Sequence, residues 1–163
     1  MIRQGYFGRK LRPPAVGSFY SIHKSSLPST YAVGSGPTGI AIDASGNIWV
    51  VNSYGGDFTN GTITELNSSG TTITYTVGNG PENIAIDASG NVWVTNSGSN
   101  TVTELNASGG TIDTYAVGNN PYDIAIDDSG DIWVSNASGN TVTKIIGVAK
   151  GPQYWPYAGP VWP

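Results

Sequence analysis

The sequence contains no cysteine, which excludes a disulfide framework, thiolate metal sites and a cysteine nucleophile. Its only histidine is His23, so one chain cannot place several histidines around a metal ion. No apolar run approaches the roughly 18 residues that a membrane-spanning helix needs, and we expect no such helix. Charged residues make up 11% of the 163 residues, against about 25% in an average soluble domain.

Positive charge is missing from the middle of the chain. No Lys or Arg lies between Tyr31 and Thr143, whereas all eleven carboxylates lie there. An acidic region of this kind repels phosphate backbones, so we expect no nucleic-acid binding. Five of the seven basic residues fall in the first 30 positions. This segment is predicted to be a solvated or self-docking basic arm.

Three copies of one unit fill the middle of the chain. The period is 44 and then 40 residues, marked by one tryptophan and one proline in each copy: Trp49, Trp93, Trp133, Pro37, Pro81 and Pro121. Repeats of about 40–45 residues with four short strands each are typical of β-propeller blades. The 23 glycines and 10 prolines also favour an all-β fold with many turns. We therefore predict an all-β chain of three four-stranded blades, which form an incomplete ring.

Turn residues separate four predicted strands in the first copy: Ile40–Asp43, Ile48–Asn52, Thr62–Leu66 and Thr71–Val77. The first two are apolar on both faces, as expected for sheets packed between neighbouring blades. Gly46 lies where a bulged hairpin needs a positive φ. The aspartate that precedes this turn can accept backbone N–H bonds.

The pattern Pro-x-x-Ile-Ala-Ile-Asp-x-Ser-Gly-(Asn/Asp)-(Ile/Val)-Trp-Val-x-Asn resembles the NHL repeat, in the variety found in streptogramin (virginiamycin B) lyase-like propellers. The resemblance covers about residues 31–147. It implies a β-propeller fold, and for the lyases it implies a histidine base with a glutamate and a bound divalent metal. Such propellers host enzymes, scaffolds and binding modules alike, so the resemblance leaves the function open.

The order of the strands predicts an assembly. Thr30–Val33 matches the outer strand of a blade, and the third copy ends after its third strand at Ile146. Three blades cannot close a ring, since propellers have about four to eight. We expect a homo-oligomer in which two chains form a six-bladed ring and each amino-terminal strand completes the partner's last blade. The alternatives are an open stack of blades, a fragment of a longer propeller, and a monomer whose ends build a fourth blade.

Positions shared by all three copies are interpreted as structural. Trp49 and its counterparts are predicted to pack between blades rather than to stack on sugars. Asp43 and its counterparts are predicted to satisfy their own turns, since Asp-x-Ser-Gly-Asn has too few carboxylates for the usual calcium loop. Glu65 and Glu104, which Lys144 replaces in the third copy, are interpreted as exposed strand residues. We expect no cofactor, with a divalent metal such as Mg²⁺ or Ca²⁺ as the alternative.

Positions that differ between the copies form the candidate site. After each proline the chain enters the innermost strand, and there the copies read Thr38-Gly39, Glu82-Asn83 and Tyr122-Asp123. The first copy also carries an insertion after Ser53. In a propeller both regions are expected at the mouth of the central channel. The predicted ligand-binding residues are Tyr54, Asp57, Phe58, Glu82, Asn83, Tyr122 and Asp123.

Catalysis is not expected from these residues. No histidine lies in any repeat, and His23 lies in the amino-terminal arm. No Ser/His/Asp constellation can be assembled, and spacing alone gives no support to a carboxylate pair from Glu82 and Asp123. We interpret the chain as a non-catalytic binding or assembly module with a protein or carbohydrate ligand. The alternatives are a streptogramin lyase-like enzyme acting on a cyclic depsipeptide, and a lectin-like propeller.

The ends of the chain differ in composition from the repeats. We divide the chain into a basic arm at 1–29, a three-blade segment at 30–147, and a tail rich in proline and aromatic residues at 148–163. The tail favours an extended path that docks on its own protein, on a neighbouring subunit or on a foreign partner. The lysine-poor, Ser/Thr/Asn/Gly-rich body resembles exported proteins. We therefore expect an extracytoplasmic or secreted location, although no signal peptide is seen.

Overall fold

The computed structural model describes residues 29–53 and 61–149. The chain divides into two units, residues 1–30 and residues 31–163. The described residues form eleven strands, and no helix among them could cross a membrane. The strands are β1 (Pro37–Ile42), β2 (Ile48–Asn52), β3 (Thr62–Leu66), β4 (Thr72–Thr76), β5 (Pro81–Ile86), β6 (Val92–Asn96), β7 (Thr101–Leu105), β8 (Thr111–Ala116), β9 (Pro121–Ile126), β10 (Ile132–Asn136) and β11 (Thr141–Ile145).

The strands form three antiparallel sheets, which we name blades A, B and C. Blade A has the order β1-β2-β3-β4 and blade B the order β5-β6-β7-β8. Within the described residues, blade C consists of β9, β10 and β11. Strand β5 contacts both β1 and β9, so the first strands of the three blades lie next to one another. The prediction of an all-β chain built from propeller blades is confirmed.

The strand boundaries show where the prediction holds and where it fails. Ile48–Asn52 and Thr62–Leu66 are confirmed residue for residue. The first strand of blade A begins earlier than predicted, at Pro37, because a bulge keeps the residues after the proline in the sheet. Residues 29–36 form no strand within one chain, and no described strand of the chain pairs with them. The outer strand Thr30–Val33, which was expected to pair with a partner chain, stays a prediction.

The same tight turn joins the first two strands of every blade. In blade A, Asp43 Oδ1 accepts hydrogen bonds from the backbone N of Ser45 at 2.8 Å and of Asn47 at 2.9 Å. Asp87 and its turn, and Asp127 and its turn, repeat these bonds. The turn glycine of blade A, Gly46, has a φ of 83°, which is the left-handed region that favours glycine. The predicted turn chemistry is therefore confirmed.

The cores lie between blades, because both faces of each sheet carry apolar side chains. We call one face of a blade its Trp face and the opposite face its Ile face, after the residues that define them: Trp49, Trp93 and Trp133 on the first, Ile40, Ile84 and Ile124 on the second. The Trp face of blade A packs on the Ile face of blade B. The Trp face of blade B packs on the Ile face of blade C. Trp49 and Trp93 are fully buried, which confirms their predicted packing role.

A buried asparagine ends the second strand of each blade. Asn52 Nδ2 donates to Thr62 Oγ1 at 3.2 Å and to Thr64 Oγ1 at 3.0 Å, both on the neighbouring strand β3. Asn96 and Asn136 bond the matching threonines of blades B and C. The asparagine pairs with the proline that opens the first strand. These bonds therefore fix the end of each blade at which the variable residues lie.

Candidate functional site

The variable residue pairs lie in a bulge at the start of the first strand. In blade B, Glu82 and Asn83 lie opposite the single residue Thr95 of β6. Blade C has the same register shift at Tyr122 and Asp123. A bulge places one extra residue in its strand and turns its side chains away from the regular alternation. The backbone therefore displays two variable side chains per blade while the rest of the sheet keeps its register.

Hydroxyl groups fill the bulges of blades B and C. Thr95 Oγ1 accepts a hydrogen bond from the backbone N of Asn83 at 3.0 Å. Ser135 Oγ accepts one from the backbone N of Asp123, also at 3.0 Å. A polar group that is buried without a partner costs about 1–3 kcal/mol. These two hydroxyls therefore stabilise the bulges, whereas blade A has Val51 at the same position, a side chain with no acceptor.

Side chains of the two bulges join blade B to blade C. Asn83 Nδ2 donates a hydrogen bond to Asp123 Oδ1 at 2.7 Å. The hydroxyl of Thr95 lies 3.1 Å from the carbonyl oxygen of Tyr122, so one threonine contacts the bulges of both blades. The Tyr122 side chain is 58% exposed, and Asp123 beside it is exposed as well. An aromatic ring and a carboxylate thus face solvent side by side.

Glu82 extends this surface towards blade A. Ser97 Oγ donates to Glu82 Oε1 at 3.0 Å, which holds the half-buried carboxylate in place. Thr38 of β1 donates its hydroxyl hydrogen to the Glu82 carbonyl oxygen at 2.9 Å. The bulges of all three blades are therefore in contact. We name the resulting set the bulge row: Thr38, Glu82, Asn83, Tyr122 and Asp123.

The structure brings together the predicted site residues that it describes, namely Glu82, Asn83, Tyr122 and Asp123. The other predicted residues, Tyr54, Asp57 and Phe58, lie outside the described residues. The sequence analysis missed the supporting hydroxyls Thr95, Ser97 and Ser135. A signal for two of them exists in the repeats, because the variable position of Trp-Val-x-Asn reads Val51, Thr95 and Ser135.

A second polar group lies on the Trp face of blade B. The Tyr115 hydroxyl donates to Glu104 Oε2 at 3.0 Å, and the ring stacks on Trp93 with centroids 5.7 Å apart. Glu104 is 5% exposed, so the prediction that it is an exposed strand residue is wrong. Tyr115 from the outer strand β8 and Asn91 from the first turn of the same blade bond to it. Burial raises the pKa of the Glu104 carboxyl, the Tyr115 hydrogen bond opposes this, and the charges of Asp87 and Asp113 add to the rise.

Blades A and C differ at the same place. In blade A the Tyr75 hydroxyl donates to Glu65 Oε2 at 2.8 Å, and Glu65 is half-buried rather than exposed as predicted. In blade C, Lys144 stands at the glutamate position. Its Nζ lies 4.9 Å from the centre of the Trp133 ring and 2.5 Å from Asp131 Oδ2. The hydrogen bond to Asp131 raises the pKa of Lys144.

The described residues contain no group of three or more His, Cys, Asp or Glu side chains that could hold a metal ion. The turn aspartates use their oxygens within the protein. Asp127 Oδ2 accepts a hydrogen bond from Trp133 Nε1 at 2.9 Å, and Oδ1 accepts one from the backbone N of Ser129 at 2.9 Å. The bond from Trp133, followed by those from the backbone, holds the pKa of Asp127 below its usual range. The described residues therefore do not fit the divalent metal that the resemblance implies.

Comparison with known proteins identifies relatives by structure. No protein-family model matches the sequence, and no curated protein matches it. The fold is similar to virginiamycin B lyase from Staphylococcus aureus, with a TM-score of 0.61 and 24% identity over 71% of this chain and 40% of the lyase. It is also similar to a catalytically inactive histidine-to-alanine variant of that lyase with quinupristin, with a TM-score of 0.59 and 25% identity over 71% of this chain and 39% of the variant.

A further similar structure is a gluconolactonase from Xanthomonas campestris, with a TM-score of 0.52 and 17% identity over 77% of this chain and 51% of that one. The resemblance to streptogramin lyase-like propellers that the repeats predict is thus confirmed as a likeness of fold. The chain spans about two fifths of the length of the solved lyase structures, at 40% and 39%. The protein is built from β-propeller blades, and its structural neighbours include enzymes.

Proposed function

We propose that this chain is a non-catalytic propeller module that binds a carbohydrate through the bulge row. The observation that carries the proposal is the bond between Asn83 Nδ2 and Asp123 Oδ1. It unites the variable residues of two blades in one exposed surface. The surface is one part of the described chain in which the blades have diverged.

The chemistry of the bulge row suits a sugar. Ligand sites combine apolar or aromatic surface with a few placed polar groups that fix orientation. The exposed Tyr122 ring offers a flat apolar surface, and the carboxylates of Glu82 and Asp123 offer acceptors for hydroxyl groups. Asn83 supplies an amide that both donates and accepts. An extracytoplasmic or secreted location, which the composition favours, would give access to such ligands.

The arrangement gives no support to acid–base catalysis. A general base must lie within hydrogen-bond reach of the proton that it removes, and it must be free to take that proton. Asp123 Oδ1 already accepts bonds from Asn83 Nδ2 and from the backbone N of Ile124 at 2.9 Å. Glu82 Oε1 accepts one from Ser97. These bonds orient the two carboxylates, and their second oxygens, Asp123 Oδ2 and Glu82 Oε2, can accept hydrogen bonds from a ligand.

A glycan array followed by calorimetric titration tests the binding. We expect the full chain to bind neutral oligosaccharides of glucose, galactose or N-acetylglucosamine. Tyr122→Ala and Glu82→Gln should each raise the Kd about tenfold. Asp128→Ala is the control, because this exposed aspartate lies in the turn at the other end of β9. Absence of glycan binding by the wild-type protein, or wild-type affinity in both site variants, would contradict the proposal.

A lyase-like activity is the second candidate, favoured by the structural likeness to virginiamycin B lyase. Incubation of the full chain with a cyclic depsipeptide lactone and Mg²⁺, followed by mass spectrometry, separates the two. We expect the mass of the lactone to stay unchanged. A product heavier by one water, or an isomeric linear product with a shifted retention time, would overturn the non-catalytic assignment.

A further inference from the structure

The contacts between blades repeat one pattern. Trp49, on the Trp face of blade A, packs with Ile84 on the Ile face of blade B. Trp93, on the Trp face of blade B, packs with Ile124 on the Ile face of blade C. Both tryptophans are 0% exposed, and the two isoleucines are 7% and 8% exposed. In both contacts between blades, a Trp face packs on an Ile face and both become buried.

One face of each kind keeps exposed apolar side chains among the described residues, although Val50 and Leu66 on the Ile face of blade A are buried; we call these two faces the open faces. On the Ile face of blade A, Ile40 and Ile42 are each 67% exposed. On the Trp face of blade C, Trp133 is 39% exposed and Val142 is 62% exposed. A groove of about 220 Å³ lies over Trp133 on this face. The two open faces are at opposite ends of the stack of blades, and each has the residues that the other would need.

The segment at 31–34 lies where an outer strand would lie but has no strand partner among the described residues. A methyl group added at Gly70 of blade A would lie 3.6 Å from Tyr31 Cε1, and one added at Gly109 of blade B would overlap the Tyr75 ring. Tyr75 belongs to the outer strand of blade A and packs against the next blade, blade B. Tyr31 packs against blade A in the same way. Gly34 repeats the correspondence: it faces Asn52 as Gly78 and Gly118 face Asn96 and Asn136. The segment occupies the place of an outer strand, yet no described strand pairs with it.

We propose that a second copy of this chain covers both open faces, so that two chains close one ring of six blades. The Ile face of one copy's blade A packs on the Trp face of the other copy's blade C. Residues 31–34 of each copy then lie along β11 of the other as its fourth strand. Six blades fall within the usual range for a closed propeller. The inference rests on the packing of the blades and is independent of the proposed function.

The side chains fit this pairing. Tyr31 of the second copy would stack on Trp133, as Tyr75 stacks on Trp49 with centroids 5.6 Å apart. Lys144 replaces the glutamate that accepts the tyrosine proton in blades A and B, and its ammonium can donate to the phenol oxygen instead. A second copy would also cover the outer edge of β11, with which no described strand other than β10 pairs, and such an edge is open to strand addition.

Native mass spectrometry and light scattering on the full chain test the proposal. We expect a mass of twice 16.9 kDa. Ile40→Lys and Val142→Lys should each reduce it to one chain, because both side chains are exposed in a single copy and a lysine there leaves the copy's own core intact. Ile112→Lys is the matched control: this isoleucine is 51% exposed on the outer strand of blade B and should leave the dimer unchanged. A wild-type monomer, or a dimer that survives both lysines, would overturn the proposal.

Engineered disulfides locate the interface, and the cysteine-free sequence makes them easy to read. Asn83 and Asp123 occupy matching positions in blades B and C and touch, so Asn83→Cys with Asp123→Cys should link within one chain. Gly39 is the matching position in blade A, and because an added Cβ there lies 3.1 Å from Asn83 Cα, the neighbouring bulge must shift by a few tenths of an ångström to accept the cysteine. Gly39→Cys with Asp123→Cys should therefore give a covalent dimer on a non-reducing gel. A single-chain band would exclude the pairing, and a ladder of larger species would exclude the closed ring.

Discussion

The Tyr115 hydroxyl and the Glu104 carboxylate form a hydrogen bond of 3.0 Å beneath the outer strand of blade B. Glu104 Oε1 accepts a second bond from Asn91 Nδ2 at 3.2 Å. A carboxylate in this position could not be left without donors, because burial of an unpaired charge is costly. The glutamate and the tyrosine recur together in blade A as Glu65 and Tyr75. The pair is therefore a unit of blade construction, and it suggests a direct test.

Tyr115→Phe should destabilise the protein. The change keeps the ring on Trp93 but removes one donor from the buried Glu104, and a hydrogen bond to a charged group contributes about 1.5–3 kcal/mol. Urea unfolding followed by circular dichroism measures the free energy of unfolding. Tyr122→Phe is the control, since the Tyr122 side chain is exposed and should tolerate the loss of its hydroxyl. Equal unfolding midpoints for both variants would contradict the role assigned to the bond.

Stability should fall at alkaline pH. Burial, together with the hydrogen bonds to Glu65 and Glu104, raises the pKa of Tyr75 and Tyr115 from 10.0 to about 12. The folded state therefore keeps both phenol protons at a pH where the unfolded state has lost them. This contribution is complete below about pH 10 and is lost as the pH rises towards about 12.

A spectrophotometric titration near the phenolate band, with urea unfolding at about pH 9 and about pH 11.5, measures this effect. Two tyrosines should ionise late, and Tyr115→Phe should leave one. The unfolding midpoint of the wild-type protein should drop between the two pH values. Ionisation of all tyrosines near pH 10.0, their ordinary pKa, would argue against the buried pairs.

Asp43→Ala should weaken the first turn of blade A. Burial raises the pKa of Asp43, but donors from Trp49, Asn47 and Ser45 outweigh burial and hold the pKa below 3.8. Loss of these bonds should cost about 1–2 kcal/mol at neutral pH. Because the folded pKa is lowered, the stabilisation is present above pH 3.8 and is lost as the pH falls through the folded pKa.

Thermal unfolding of Asp43→Ala and of the wild-type protein at neutral pH and at about pH 3 checks the prediction. The difference in Tm should shrink at the lower pH. Asp128→Ala controls for the loss of a negative charge, since Asp128 is exposed in the equivalent turn of blade C. A difference that is the same at both pH values would show that the carboxylate does not act through these bonds.

Two glycines with almost the same backbone should differ in their tolerance of alanine. Gly46 has a φ of 83° with no atom within 4 Å of an added Cβ, whereas Gly109 has a φ of 79° and an added Cβ would overlap the Tyr75 ring. Gly46→Ala should cost only the strain of a left-handed residue, about 1–2 kcal/mol. Gly109→Ala should cost clearly more, as measured by urea unfolding. Equal costs would place Tyr75 elsewhere than in the contact between blades A and B.

The sequence was sufficient to predict the parts of the structure that repeat. Trp49 and its counterparts set the period, and Asp43 with Gly46 set the turn, because each acts through local geometry that three copies confirm independently. The prediction of exposed glutamates failed, because the burial of Glu65 and Glu104 depends on residues that lie far from them in the sequence. Glu104 was interpreted as exposed from strand alternation, which holds for a sheet with one wet face, whereas a blade is covered on both faces.

The strand at Thr30–Val33 stays a prediction. The residues match an outer strand, but a strand also needs a partner, and no described strand pairs with this one. The candidate site, by contrast, could be predicted from the sequence. Glu82, Asn83, Tyr122 and Asp123 stand out because shared residues on either side of them fix the same backbone in each copy. Thr95 and Ser135 were missed although they stand at the variable position of Trp-Val-x-Asn, because the bulges that they support are seen only in the structure.

The bulges hold the residues that differ between the blades, whereas the strand pairing on either side of them is the same in each blade. Two residues in each first strand lie opposite one residue of the second strand, so their replacement does not disturb the pairing on either side. After duplication of an ancestral blade, these pairs could diverge without a compensating change in the core. Thr38-Gly39, Glu82-Asn83 and Tyr122-Asp123 are three results of that freedom in one chain. A library randomised at Glu82, Asn83, Tyr122 and Asp123 should alter recognition while the blades continue to fold.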